Sequence, residues 1–170
     1  MAENKIQLTK ADRKKVCFRH QFLQGSWNYE RMQNGGWCFA MIPAIKKLYT
    51  SKDDQIAALK RHLEFYNTHP YVSAPVIGVT LALEEERANG APIDDVAIQG
   101  VKVGMMGPLA GVGDSLLMTM IPTIMGSIAA YMAIEGNPVG AGIWFALILA
   151  IFWVRMHALE FGYKQGVKLV

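Results

Sequence analysis

Four groups of polar side chains interrupt the apolar stretches of this 170-residue chain. Gln24, Asn28, Glu30 and Arg31 form the first. Glu64, Asn67 and His69 form the second, Glu84 and Glu85 the third, and Asp114 stands alone. A carboxylate taken out of water is costly unless it is paired or hydrogen-bonded. In a membrane setting such residues mark ion pairs or a substrate path. Carboxylates and amides can accept hydrogen bonds from sugar hydroxyls, and a flat aromatic such as Trp27 suits the face of a sugar ring. The stretch HLEFYNTHP puts Glu64, Asn67 and His69 on or just past one helix end. Each group also has a plainer reading. Glu64 with His62 or Arg61 can be a solvated helix face, Glu30 and Arg31 an ordinary ion pair, and Asp114 the cap of a helix starting at Ser115.

Covalent chemistry finds no support in the motifs. There is no Gly-x-Ser-x-Gly, no HExxH, no P-loop, and no GxGxxG after a strand. His20, His62, His69 and His157 are too scattered to nominate a phosphorylated histidine. Cys17 and Cys38 form no CxxC and have no paired histidines, so free thiols are expected and neither a metal nor a cofactor is.

Helices must position these groups. Thr9 is a candidate N-cap for a helix from Lys10, with Asp12 where a capping box carries an acid. Val16, Phe18, Phe22 and Leu23 recur at helical spacing among basic residues. Residues 8–24 thus read as a basic amphipathic helix, suited to a membrane interface or to packing on a core. Residues 32–45 are uncharged but short for a span, so a buried or re-entrant helix fits, with Gly35, Gly36 and Pro43 as interruptions. Ser51 should cap a helix through residues 51–67, with Ile56, Leu59, Leu63 and Tyr66 on one face and Pro70 as its stop. An uncharged run at 71–83 ends in Glu84-Glu85-Glu86-Arg87, and Glu86 and Arg87 read as a solvated terminus. Asp94 and Asp95 suit the next helix start. Gly100, Gly104, Gly107 and Gly111 line one face and allow close approach of another backbone, before Pro108 and Gly113 break the helix.

The last two runs carry the main membrane pattern. Residues 115–134 and 136–154, 20 and 19 long, hold no charge and are separated by Glu135. Each can cross a hydrocarbon core of about 30 Å. Arg155, Lys164 and Lys168 would lie on the cytoplasmic side of that hairpin. The whole reads as an all-α integral membrane protein: an interfacial helix (1–24), a helical region of short buried or re-entrant segments (25–114), and a hairpin with its basic tail (115–170). Irregular backbone around Gly113 is tolerated at membrane depth where protein covers it.

Composition agrees. Hydrophobic residues make up 52% and charged residues 18%, and the net charge is +3. Six Lys or Arg fall in residues 1–20 against Glu3 and Asp12. With no nucleic-acid motif nearby, this favours an anionic membrane surface over nucleic acid. MAENKIQLTK has no apolar core, so no signal peptide is read there and a cytoplasmic N-terminus is expected. The residues alone leave open a soluble helical domain, and a membrane protein that serves only as an assembly partner or receptor.

FLQGSWNYERMQNGGWCFAMIPAIKKLY, RHLEFYNTHPYVSAPVIGVTLALEEERANGAPIDD and GVKVGMMGPLAGVGDSL, in that order, resemble the IID subunit of the mannose family of sugar phosphotransferase systems. The likeness is specific from about residue 17 to about 115, looser and mainly hydropathic beyond, and returns at FGYKQGVKLV. It implies a bacterial inner-membrane subunit that binds and translocates mannose, glucose or related hexoses and amino sugars together with IIC. Phosphate would pass through histidines on IIA and IIB, with IID carrying none. The resemblance also implies a trimer of IIC–IID heterodimers that can serve as a bacteriocin receptor. Trp27, Arg31, Glu64, Asn67 and His69 are then expected to contact sugar or shape the site at the IIC interface. Family members continue past GYKQGVKLV, which implies a truncated or partly ordered chain, or a short variant. SLLMTM after GVGD departs from members with a proline and aromatics there.

Overall fold

The computed structural model describes residues 5–168. Residues 1–4 of the basic segment, Glu3 among them, and Leu169 and Val170 of FGYKQGVKLV lie outside the described residues. Seven α-helices follow in order: α1 Lys10–His20, α2 Asn34–Leu48, α3 Lys52–His62, α4 Ala74–Ala88, α5 Asp95–Val112, α6 Ile121–Ile134 and α7 Val139–Gly166. A π-helical segment, Gly113–Met120, joins α5 to α6. Strand pairing among the described residues is limited to two isolated bridges, Asn28 with Met32 and Met32 with Tyr66.

The helix starts follow local chemistry. Thr9 and Asp12 complete a reciprocal capping box at α1. Ser51 caps α3 by accepting from the Asp53 amide, and Asp94 caps α5 by accepting from Ala97. Each satisfies an amide that the helix itself leaves unpaired.

Packing centres on α4 and α7. A side chain at Gly162 would strike the Pro75 carbonyl, and one at Gly78 would strike the Leu159 carbonyl. Glycine at both positions lets the two backbones touch. Val76, Ile77, Leu81 and Ala82 of α4 pack with Leu159 and Tyr163 of α7 in the main core, which also takes Trp37, Met41 and Ile45 of α2. Removing such side chains from water stabilises by roughly 1.5–3 kcal/mol each.

Several expectations need correction. Pro43 does not interrupt α2, which runs unbroken through it. A helical proline frees the carbonyl four residues back, here that of Phe39. The Arg19 guanidinium donates to it at 3.4 Å. Gly35 and Gly36 sit in the first turn, where amides have no intrahelical partner anyway. The third helix ends at His62, well before Pro70, and buries Ala58 and His62. Ile56 and Leu63 are exposed, and Tyr66 is buried from the following loop. The apolar stripe of α1 is divided. Val16 and Leu23 enter the core, while Phe18 and Phe22 stay outside and meet edge to face at 5.9 Å.

Pro108 likewise leaves α5 unbroken, and the irregularity falls at Gly113 as a π-helical stretch rather than a stop. Asp114 therefore caps nothing with its side chain; its backbone carbonyl accepts from the Thr119 hydroxyl. Gly100, Gly104, Gly107 and Gly111 have open space where a side chain would stand. Among the described residues no helix packs against those four positions. The membrane hairpin is present: α6 and α7 pack antiparallel across the Gly136 turn. The runs Asp95–Ile134 and Val139–Gly166 are long and apolar enough to span, and their most apolar stretches are 0% and 11% buried within the chain.

Candidate functional site

Two loops build a polar platform. Asn28 and Met32 exchange backbone hydrogen bonds at 3.0 Å, folding residues 28–32 into a tight turn with Met32 at φ 56°. Gln33 then donates its amide to the Tyr66 carbonyl at 2.9 Å. Its side chain completes the pairing: Nε2 donates to the Thr68 carbonyl at 2.8 Å and Oε1 accepts from the Thr68 amide at 3.1 Å. A buried carboxamide thus mimics a strand neighbour and locks loop 25–33 to loop 63–69. Asn34 extends the lock, donating to the Leu63 carbonyl at 2.8 Å and accepting from Asn28 at 2.8 Å.

The five expected sugar-site residues lie on these loops, but they face different surroundings. Arg31 is exposed, sits 3.3 Å from Glu30 and donates to the Leu63 carbonyl at 3.3 Å. Trp27 is half-exposed and meets Tyr29 edge to face at 4.8 Å. Asn67 presents its side chain outward while its backbone amide points at Met106 Sδ, 3.0 Å away. Glu64 lines a cleft of about 730 Å³ between α3 and α5, with Lys60, Arg61, Asp95 and Gln99. His69 is buried and lines a second cleft of about 440 Å³ beside the π segment, with Gln24, Tyr71 and Arg155. Gly113 lies directly against the His69 ring. Burial disfavours a charge on His69, and Asp114 offsets part of that, so the imidazole is neutral near pH 7.

Next to the platform lies an ionic layer whose members stand far apart in the sequence. Glu84, fully buried, accepts from Arg61 Nε at 2.7 Å and Nη2 at 3.1 Å, and from the Tyr49 hydroxyl at 2.7 Å. His62 Nε2 stands 3.0 Å from the same carboxylate, and its Nδ1 faces Trp37 Nε1 at 3.4 Å. Burial opposes ionisation of Glu84, but the bonds from His62 and Arg61 prevail and hold its carboxyl at about 2. Burial pushes His62 down, so Arg61 is the counter-charge. Lys102 is buried over the Trp37 ring, 5.3 Å from its centroid, and Nζ has no hydrogen-bond partner among the described residues. Its isolation as the one charge in residues 96–113 is the feature of the sequence that marks it. Glu85 is buried and accepts from Tyr163 at 2.8 Å and from the Leu8 amide at 2.7 Å.

No group of three or more metal-ligating side chains occurs among the described residues. Cys17 and Cys38 are free and buried. Hydrogen-bonding side chains stand beside two long apolar runs, which defines an all-α membrane protein.

The comparisons agree with that class. Residues 7–170 match the family model for the IID component of the mannose/fructose/sorbose family of phosphotransferase systems. The mannose-specific EIID component of Escherichia coli K12 is 47% identical over 166 residues, covering 96% of this chain and 59% of that one. The fructose permease IID component of Bacillus subtilis 168 is 44% identical over 169 residues, covering 99% and 62%. A cryo-electron-microscopy structure of the mannose transporter ManYZ in complex with microcin E492 superposes with a TM-score of 0.91 at 47% identity, over 95% of this chain and 60% of that one. The chain belongs to the IID component family. It spans about three-fifths of the length of these relatives.

Proposed function

We propose that the chain acts as the IID subunit of a phosphoenolpyruvate-dependent sugar transporter. With a IIC subunit it forms the pathway that binds and translocates a hexose, which IIB phosphorylates after receiving phosphate through IIA. The relatives are named for mannose and for fructose, which supports a hexose of that group. The observation that carries the reading is the 40-residue run Asp95–Ile134, apolar yet 0% buried in its most apolar stretch. Its glycine face lies open and needs lipid or a partner helix to cover it. A trimer of IIC–IID heterodimers fits that need.

Trp27, Arg31, Glu64, Asn67 and His69 contact the sugar or shape its site at the IIC interface. The organisation follows as an interfacial segment 1–24, a site-bearing region 25–114 and a hairpin with a basic tail 115–170. Phe18 and Phe22 remain exposed beside Lys14, Lys15 and Arg19, as an interfacial helix on the cytoplasmic leaflet requires. That leaflet places the N-terminus in the cytoplasm of a bacterial inner membrane. Because the ManYZ neighbour is complexed with a microcin, a bacteriocin-receptor role is part of the proposal. Phosphoenolpyruvate-dependent hexose uptake, measured with and without this chain, tests it. Uptake that depends on the chain is expected; unchanged uptake would leave only an assembly or receptor role.

A further inference from the structure

The cleft beside the π segment contains a charge with no counter-charge among the described residues. Arg155 follows the apolar run of α7 directly and is only 5% exposed. Among the described residues it donates one hydrogen bond, from Nη2 to the His20 carbonyl at 2.8 Å. Its Nε is buried without a partner. The described ion pairs give it no carboxylate. The Tyr71 ring lies 5.5 Å from the guanidinium carbon. A buried cation held this way is costly unless an anion completes it. With Nε enclosed and Nη2 held by the His20 carbonyl, Nη1 is left to donate a charge-assisted bond to a phosphate oxygen.

The surroundings favour a lipid as the source of that phosphate. Besides Arg155 and His69, the cleft walls include the carboxamides of Gln21 and Gln24 and the apolar Leu117 and Met118. The Gln21 amide is engaged with the Cys17 carbonyl at 3.1 Å, whereas Gln24 is exposed. Met118 is 69% exposed on the apolar arm. Polar and apolar walls meet where the apolar run of α7 ends, the depth at which a headgroup gives way to acyl chains. Basic pockets between membrane helices take acidic headgroups for this reason.

We propose that this cleft binds the phosphodiester of an anionic phospholipid. Arg155 grips the phosphate, the Gln24 amide meets the polar headgroup, and an acyl chain runs along Leu117 and Met118. The proposal goes beyond the transport reading and does not rest on it, since lipid retention is measured without sugar.

The test is native mass spectrometry of the full-length protein in its assembled complex. The probes are phosphatidylglycerol, phosphatidylcholine and glycerol 3-phosphate. Phosphatidylglycerol should be retained in preference to phosphatidylcholine, and Arg155→Gln should weaken its retention on the order of tenfold. Filling the apolar wall with Met118→Trp should weaken it as well. Equal retention of phosphatidylcholine would overturn the proposal. So would displacement of the lipid by equimolar glycerol 3-phosphate, which would mark a site for free phosphate. If Arg155→Gln does not accumulate, Met118→Trp and Gln24→Ala decide, and unchanged retention in both rejects the lipid site.

Discussion

Arg61 reaches from α3 into the core and grips Glu84 of α4 through two nitrogens, at 2.7 and 3.1 Å. The pair joins the helix beneath the Glu64 cleft to the helix that packs on α7. Losing one member of a buried pair costs about 3–5 kcal/mol, and without Glu84 the Arg61 guanidinium keeps only the exposed Asp95 carboxylate, 3.2 Å from Nη1. Glu84→Gln should therefore lower the thermal unfolding temperature of the purified complex far more than Glu86→Gln. An equal effect of both variants would refute the role of the pair.

The same carboxylate sets an acid limit. Its folded pKa is depressed from 4.5 to about 2. The stability it contributes is therefore fully present above pH 4.5 and is lost as pH falls through that interval toward about 2. Unfolding followed across this range should show a shallower acid slope in Glu84→Gln than in the parent.

Arg19 substitutes for the amide that Pro43 lacks. Arg19→Ala should cost about 1 kcal/mol. The cost should shrink when Pro43→Ala restores a donor to the Phe39 carbonyl. A double-mutant cycle on thermal stability measures the coupling, and purely additive effects would dismiss the link.

Gly113 makes room for His69. Gly113→Ala places a methyl group into the imidazole and its Cβ, so the ring must move at a cost of about 1–3 kcal/mol. Hexose uptake should fall, and His69→Ala should not restore it, because alanine keeps the Cβ that the new methyl strikes. Parent-level uptake in Gly113→Ala would show that the position of the ring is immaterial.

Glu64→Gln and Asn67→Ala should each reduce uptake while membrane insertion and assembly stay intact, because both side chains are exposed on the platform. Uptake at the parent level in both variants would remove them from the sugar site.

Helix starts and the hairpin were legible in the sequence because caps and apolar runs are local patterns. Thr9 with Asp12, Ser51 and Asp94 all stand where short-range chemistry requires them. Helix ends were less legible. Pro43 and Pro108 read as breaks, but tertiary partners or lipid-facing helix geometry can absorb a proline. The platform was hidden for another reason: Gln33 meets Thr68 across 35 positions, and no window of local periodicity contains both. Arg155 read as the mere end of a run, because its missing counter-charge is visible only once the fold encloses it.

The π segment also alters how the long rod formed by α5 and α6 presents itself. Bonding one residue further back adds extra chain to each coil, so positions beyond Met120 are rotated relative to those before Gly113. Azimuth, not only height, therefore differs between the glycine side of α5 and the lipid-exposed side of α6. A single rod can dock one neighbour along its lower half and turn a separate flank to another above. Reverting the segment to α geometry by deleting one residue would swing the upper half out of alignment with α7.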